Sequence, residues 1–175
     1  MKKRTYLLVT SVAIGSLILT GCGKSSEGSN TTSGDATELT QNAAATTTGA
    51  FGSALTIGTD ATLLIGAPSA FTPTVFASNY QQGWKANRLE VTITNNGKEA
   101  LETSSIAFAS TSGANVCTDI LDGDNGINGA PTTALAAGAT ETFTIGVGCD
   151  AKAGDPLEVK ATIGSVVVAA TGKLA

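Results

Sequence analysis

Leu89-Glu90-Val91-Thr92-Ile93-Thr94 alternates apolar and polar residues without a break, a series that one face of an extended strand accommodates and a helix does not. The same period of two runs through Thr140 to Val147, with Phe143, Ile145 and Val147 on one face, and through Leu157-Glu158-Val159-Lys160-Ala161-Thr162-Ile163. Each segment would turn aliphatic side chains inward and Thr, Glu or Lys outward. Shorter strand candidates are Ala54 to Ile57, Ala61 to Ile65, Thr74 to Ala77, Ser104 to Ala109, Asn115 to Ile120 and Ser165 to Ala170. Between the candidates lie Asn95-Asn96-Gly97, Asp122-Gly123-Asp124-Asn125-Gly126 and Gly154-Asp155-Pro156, whose residue types favour turns. Helix is nearly absent: Ala134 to Ala137 has room for one turn before Gly138 stops it. About nine short strands without helical crossovers predict an all-β antiparallel sandwich.

That pattern occupies residues 51–175, enough for one domain that buries roughly two thirds of its unfolded surface. From Lys24 to about Ala50 the chain is Ser, Thr, Gly, Asn and Ala, too poor in large apolar residues to offset the cost of ordering. Residues 22–50 are therefore expected to be a disordered linker, whose Gly/Ser-like part has a root-mean-square span of about 30 Å.

The first 21 residues have the layout of an export signal. Met1-Lys2-Lys3-Arg4 is basic, Tyr6 to Leu19 is apolar but too short and too rich in hydroxyls for a membrane span, and Thr20-Gly21 supplies small residues for cleavage. Leu19-Thr20-Gly21-Cys22 resembles a bacterial lipobox. The resemblance implies cleavage before Cys22 and a diacylglyceryl group on its sulfur, so that acyl chains hold the mature protein on the extracytoplasmic side of the cell membrane. Losing residues 1–21 removes three basic side chains and no acid, leaving 7 basic against 14 acidic and a net charge of −7. That sign argues against nucleic acid and against electrostatic adhesion to anionic lipid.

With Cys22 acylated, Cys117 and Cys149 remain as an even pair in an oxidising compartment. A disulfide between them and a pair of buried free thiols are the two readings. The mature chain has no His and no Met, so haem ligation, thioether copper sites, typical zinc sites and His-based nucleophile pairs lack their residues. Asp119, Asp122, Asp124, Asn125 and Asn128 crowd one Gly-rich loop with hard oxygen donors of the kind Ca²⁺ prefers, although the spacing is not that of an EF-hand. The alternative is a solvated hairpin loop. Tyr80 and Trp84, beside Gln81 and Gln82, offer flat rings for a sugar or a protein partner, or else Trp84 plugs one end of the core.

Gly83-Trp84-Lys85, Leu89-x-Val91-x-Ile93-x-Asn95-x-Gly97-Lys98-Glu99-Ala100, Leu135-x-x-Gly138 and Glu141-x-Phe143-x-Ile145-x-Val147 resemble the telokin-like, immunoglobulin-like domain of unknown function found in many Gram-positive surface lipoproteins. The resemblance implies an immunoglobulin-like sandwich in which the first block is a strand with a hairpin turn and the second a turn leading into a late strand. It brings no catalytic or ligand residues. The expected role is a non-catalytic binding module meeting a protein, glycan or cell-wall partner. The alternatives are an envelope hydrolase using carboxylates or Ca²⁺ and an accessory subunit of a membrane complex.

Overall fold

A computed structural model describes residues 46–175; Cys22, the signal segment and the linker up to residue 45 lie outside the described residues. The strands are β1 (Thr47–Ala50), β2 (Ala54–Ile57), β3 (Ala61–Ile65), β4 (Ser69–Ala70), β5 (Lys85–Asn95), β6 (Ala107–Ser112), β7 (Asn115–Val116), β8 (Thr118–Ile120), β9 (Thr140–Cys149), β10 (Pro156–Ile163) and β11 (Val166–Lys173). Sheet 1 runs β1-β11-β10-β6-β7, and sheet 2 runs β2-β3-β5-β9-β8 with β4 also on β5. All the pairings are antiparallel except that of β1 with β11. The all-β sandwich expected from the alternation is present.

Its core is the alternation made solid. Leu63, Ile65, Leu89, Val91, Ile93 and Val147 from sheet 2 face Leu157, Val159, Ala161 and Val168 from sheet 1, all but sealed from solvent. Burying each large aliphatic stabilises by about 1.5–3 kcal/mol. On the outer face of sheet 2 the threonines pair across strands, Thr92 with Thr142 at 3.1 Å and Thr94 with Thr140 at 3.0 Å. Glu158 and Lys160 make an ion pair of 2.7 Å on the outer face of β10. Gly164 adopts a φ of 59° in the two-residue turn from β10 to β11, the left-handed region that such hairpins require.

Five expectations need correction. Thr47–Ala50 falls in the segment assigned to the linker, yet it forms β1 in parallel with Val168 to Thr171, because an edge strand can be held by backbone hydrogen bonds alone. Thr74 to Ala77 is a turn, for reasons that concern the site below. The strand expected at Ser104 begins at Ala107, since residues 103–106 close a turn in which the Ile106 N–H donates to the Thr103 carbonyl at 3.0 Å. Asn115 to Ile120 is two strands rather than one, and Cys117 is where the chain leaves sheet 1 for sheet 2. After Asn95 the chain crosses to sheet 1 instead of returning as a hairpin, and buried Asn95 holds the departing loop through its side-chain amide, which donates to the Glu99 and Leu135 carbonyls at 2.8 and 3.0 Å.

Candidate functional site

At the β8 end of the sandwich one carboxylate organises two loops. Asp122 is 1% exposed. Its backbone N–H and carbonyl both pair with Ile127 at 2.9 Å, closing a narrow hairpin around a 3-10 turn at Gly123–Asn125. That hairpin is seated by Ile127, which packs over Gly146 of β9, a position where any Cβ would meet the Ile120 carbonyl at 2.7 Å.

The Asp122 side chain reaches the segment between β4 and β5. Thr74 donates its backbone N–H to one oxygen and its hydroxyl to the other, each at 2.8 Å. The Asn125 side-chain amide donates to the same carboxylate at 2.8 Å and to the Thr72 carbonyl at 3.2 Å. Burial alone would push the Asp122 carboxyl up, but the hydrogen bonds from Thr74 and Asn125 together hold it below the ordinary value.

Thr74 opens a turn in which the Ala77 N–H donates to the Thr74 carbonyl at 3.1 Å, and this puts Val75 and Phe76 at the corners. They are 93% and 80% exposed. Beyond the turn, Ser78 exchanges backbone hydrogen bonds with Leu121, and Asn79 donates from its side chain to the Asp119 carbonyl while accepting from the Thr118 hydroxyl. Asn79 does so at a φ of 63°, a conformation asparagine tolerates better than most residues. Two large apolar side chains thus stand on a turn tied down on both sides.

The structure does not gather the acidic loop into a cation cradle. Asp122 and Asn125 face the Thr72–Thr74 segment, Asp124 and Asn128 are exposed to solvent, and Asp119 lies on a different face. Among the described residues, no group of three or more His, Cys, Asp or Glu side chains is placed to hold a metal ion. Tyr80 and Trp84 are brought together, the Tyr80 hydroxyl donating to the Trp84 carbonyl at 3.3 Å. Both rings are half-buried, and Trp84 is not part of the packed core, so it is no core plug. Cys117 and Cys149 form a disulfide.

The residues that alternation overlooked are Thr74, Val75 and Phe76. Their signal was Pro73, which has no N–H for a ladder and sits poorly inside a strand. The described residues also form clefts. One, of about 250 Å³, lies between β6 and β8; another, about 710 Å³ and more polar, lies at the opposite end among Asp60, Asn96, Lys98 and Glu102. Among the described residues no helix is long and apolar enough to cross a membrane.

Among solved structures the chain is similar to a putative lipoprotein (ycdA) of Bacillus subtilis, with a TM-score of 0.54 and 16% identity over 65% of this chain and 36% of that one. It is also similar to an uncharacterized β-sandwich protein of Clostridium difficile, at TM-score 0.44 and 14% identity over 73% of this chain and 95% of that one. A FixG-related protein of Vibrio parahaemolyticus aligns at TM-score 0.42 and 9% identity over 66% of this chain and 94% of that one. At such identities the likeness is one of fold, and the matched part is about a third of the Bacillus subtilis chain. No family model matches the chain, and no curated protein matches it. What the residues build is a two-sheet sandwich that carries a clamped apolar turn at one end.

Proposed function

We propose that the chain is a lipid-anchored, extracytoplasmic module that binds a protein, glycan or cell-wall partner and performs no catalysis of its own. The observation that carries this reading is the pair Val75 and Phe76, held outward by the Asp122 clamp. Isolated exposed apolar residues are ordinary, but two adjacent large ones on a turn fixed at both ends form a preorganised contact, which loses little freedom on docking. Leu19-Thr20-Gly21-Cys22 supports the anchor, and a related sandwich fold in a Bacillus subtilis protein described as a lipoprotein agrees with it. The likeness to the telokin-like domain is supported by Leu89-x-Val91-x-Ile93 lying in β5 and Glu141-x-Phe143-x-Ile145-x-Val147 in β9.

Two measurements test the reading. Cells given radiolabelled palmitate should label the native protein and leave Cys22→Ser unlabelled. Affinity capture of the lipoprotein from its own membrane should recover a partner that Val75→Ser/Phe76→Ser loses, with Tm unchanged because neither side chain is packed. A native protein that takes up no label, or a double variant that keeps the whole complement of the native one, would overturn it.

A further inference from the structure

Asp119 is paired with Val147 in the β8–β9 ladder. Side chains of residues opposite one another in a ladder share a face, and Val147 is fully buried on the face turned toward sheet 1. Asp119 therefore belongs to the inner face of the sandwich, at the edge strand, where β6 passes. Together with Ile106, Phe108, Leu121, Ala130 and Ile145 it lines the cleft of about 250 Å³ between the two sheets. Every other side chain on that lining is apolar.

Among the described residues, no hydrogen-bond donor and no cation reaches the Asp119 carboxylate; only its backbone carbonyl is engaged, by Asn79. Asp119 is exposed to solvent on one side, and the burial of the rest of its carboxyl raises it above the ordinary value. A carboxylate in an apolar cleft lacks one thing, a positive group carried on an apolar stem. One carboxylate with no second acceptor side chain suits a compact ammonium with three donors better than a guanidinium with five. The wider field points the same way, since the described residues carry six basic and eleven acidic side chains.

We propose that the cleft between β6 and β8 seats a lysine side chain of a protein partner, with Asp119 as its counter-ion and the apolar walls around its methylenes. This rests on the reading of the chain as a binding module and names one element of what it binds.

The test is an NMR titration of the full-length protein with Nα-acetyl-lysine methylamide, Nα-acetyl-norleucine methylamide and n-pentylamine. The lysine compound should shift the amides of Phe108, Asp119 and Ile145 saturably, and the norleucine compound should bind about tenfold more weakly or not at all. Asp119→Asn should lose the lysine preference while keeping Tm, because the carboxylate makes no hydrogen bond or ion pair within the fold. Equal binding of norleucine and lysine, unchanged lysine binding by Asp119→Asn, or no shift at the cleft would overturn the proposal. Binding of n-pentylamine without the lysine compound would overturn it too, in favour of a free amine. Because Val75 and Phe76 are not among these probes, failure here leaves the capture experiment standing, and failure there leaves this titration interpretable.

Discussion

Cys117 and Cys149 face each other across the seam where the chain changes sheets, their Cα atoms 4.5 Å apart. The Cys117 N–H still belongs to sheet 1, donating to the Ser110 carbonyl at 2.9 Å, while the next residue, Thr118, already pairs with Gly148 of sheet 2. The disulfide thus fixes a place where the chain passes from one layer to the other between consecutive residues. Its sequence separation of 32 gives about 4 kcal/mol in the chain-entropy account.

Cys117→Ala/Cys149→Ala is accordingly expected to lower Tm by about 10–15 °C in a domain of this size, and reduction of the native protein should do the same. Calorimetry with and without reductant checks it. A change of only a degree or two would mean that the unfolded chain is little restrained by the bond.

Asp122 leads to a pH prediction with a definite sign. Its folded-state carboxyl lies below the ordinary 3.8, so its contribution to stability is complete above about pH 4 and is lost as pH falls through the folded value. Asp122→Ala leaves the donors of Thr74 and Asn125 without their acceptor and should lower Tm by several degrees at pH 7. The difference in Tm between native and variant should be constant from pH 7 down to about 5 and should shrink on further acidification. A difference that grows toward low pH would contradict the bonding described.

The elements that alternate around a sealed face were legible in advance: β3, β5, β9 and β10 carry their burial in their spelling. β1 was not, because Thr47-Thr48-Gly49-Ala50 buries almost nothing and is held by the backbone of β11. The turn at Thr74 was mistaken for a strand because β-branched and aromatic residues favour extended chain locally, whereas the acceptor that bends it lies 48 residues away. For the same reason the oxygen-rich loop suggested a cation: composition showed carboxylates, and only the long-range pairing shows that Asp122 already has three donors. Asp119 was legible as an oxygen donor near the loop but not as part of a cleft lining, because Ile120, its apolar neighbour, packs on the outer face against Gly146 and Gly148, inverting the usual sense of inside and outside at this edge.

Trp84 offers a contrast between a ring and a core residue. Leu89 is fully buried at the centre of β5, and Leu89→Ala should cost about 2–5 kcal/mol and lower Tm by about 10 °C or more. Trp84 is half-buried and lies off the packed core, so Trp84→Ala should shift Tm by a few degrees at most despite removing the larger side chain. Thermal melts of the two variants side by side decide it. Equal losses would place the indole in the core after all.

Gly146 couples the strand scaffold to the clamp. A Cβ there would lie 2.7 Å from the Ile120 carbonyl and 3.0 Å from a methyl of Ile127, and the carbonyl, being backbone, cannot rotate away. Gly146→Ala must therefore push β8 and the 122–127 hairpin off β9, at a cost of about 1–3 kcal/mol. Gly123→Ala is the matched control, since its Cβ would find nothing nearer than the Asn128 side-chain oxygen at 3.7 Å, and it should be nearly neutral. The displacement should be felt at a distance: with Ile127 shifted, Asp122 moves away from Thr74, and the Thr74 amide should exchange with solvent faster in Gly146→Ala than in the control. If Tm falls while Thr74 exchange stays at the native rate, the clamp stands independently of its seat on β9, and the rigidity of the Val75–Phe76 turn has another source.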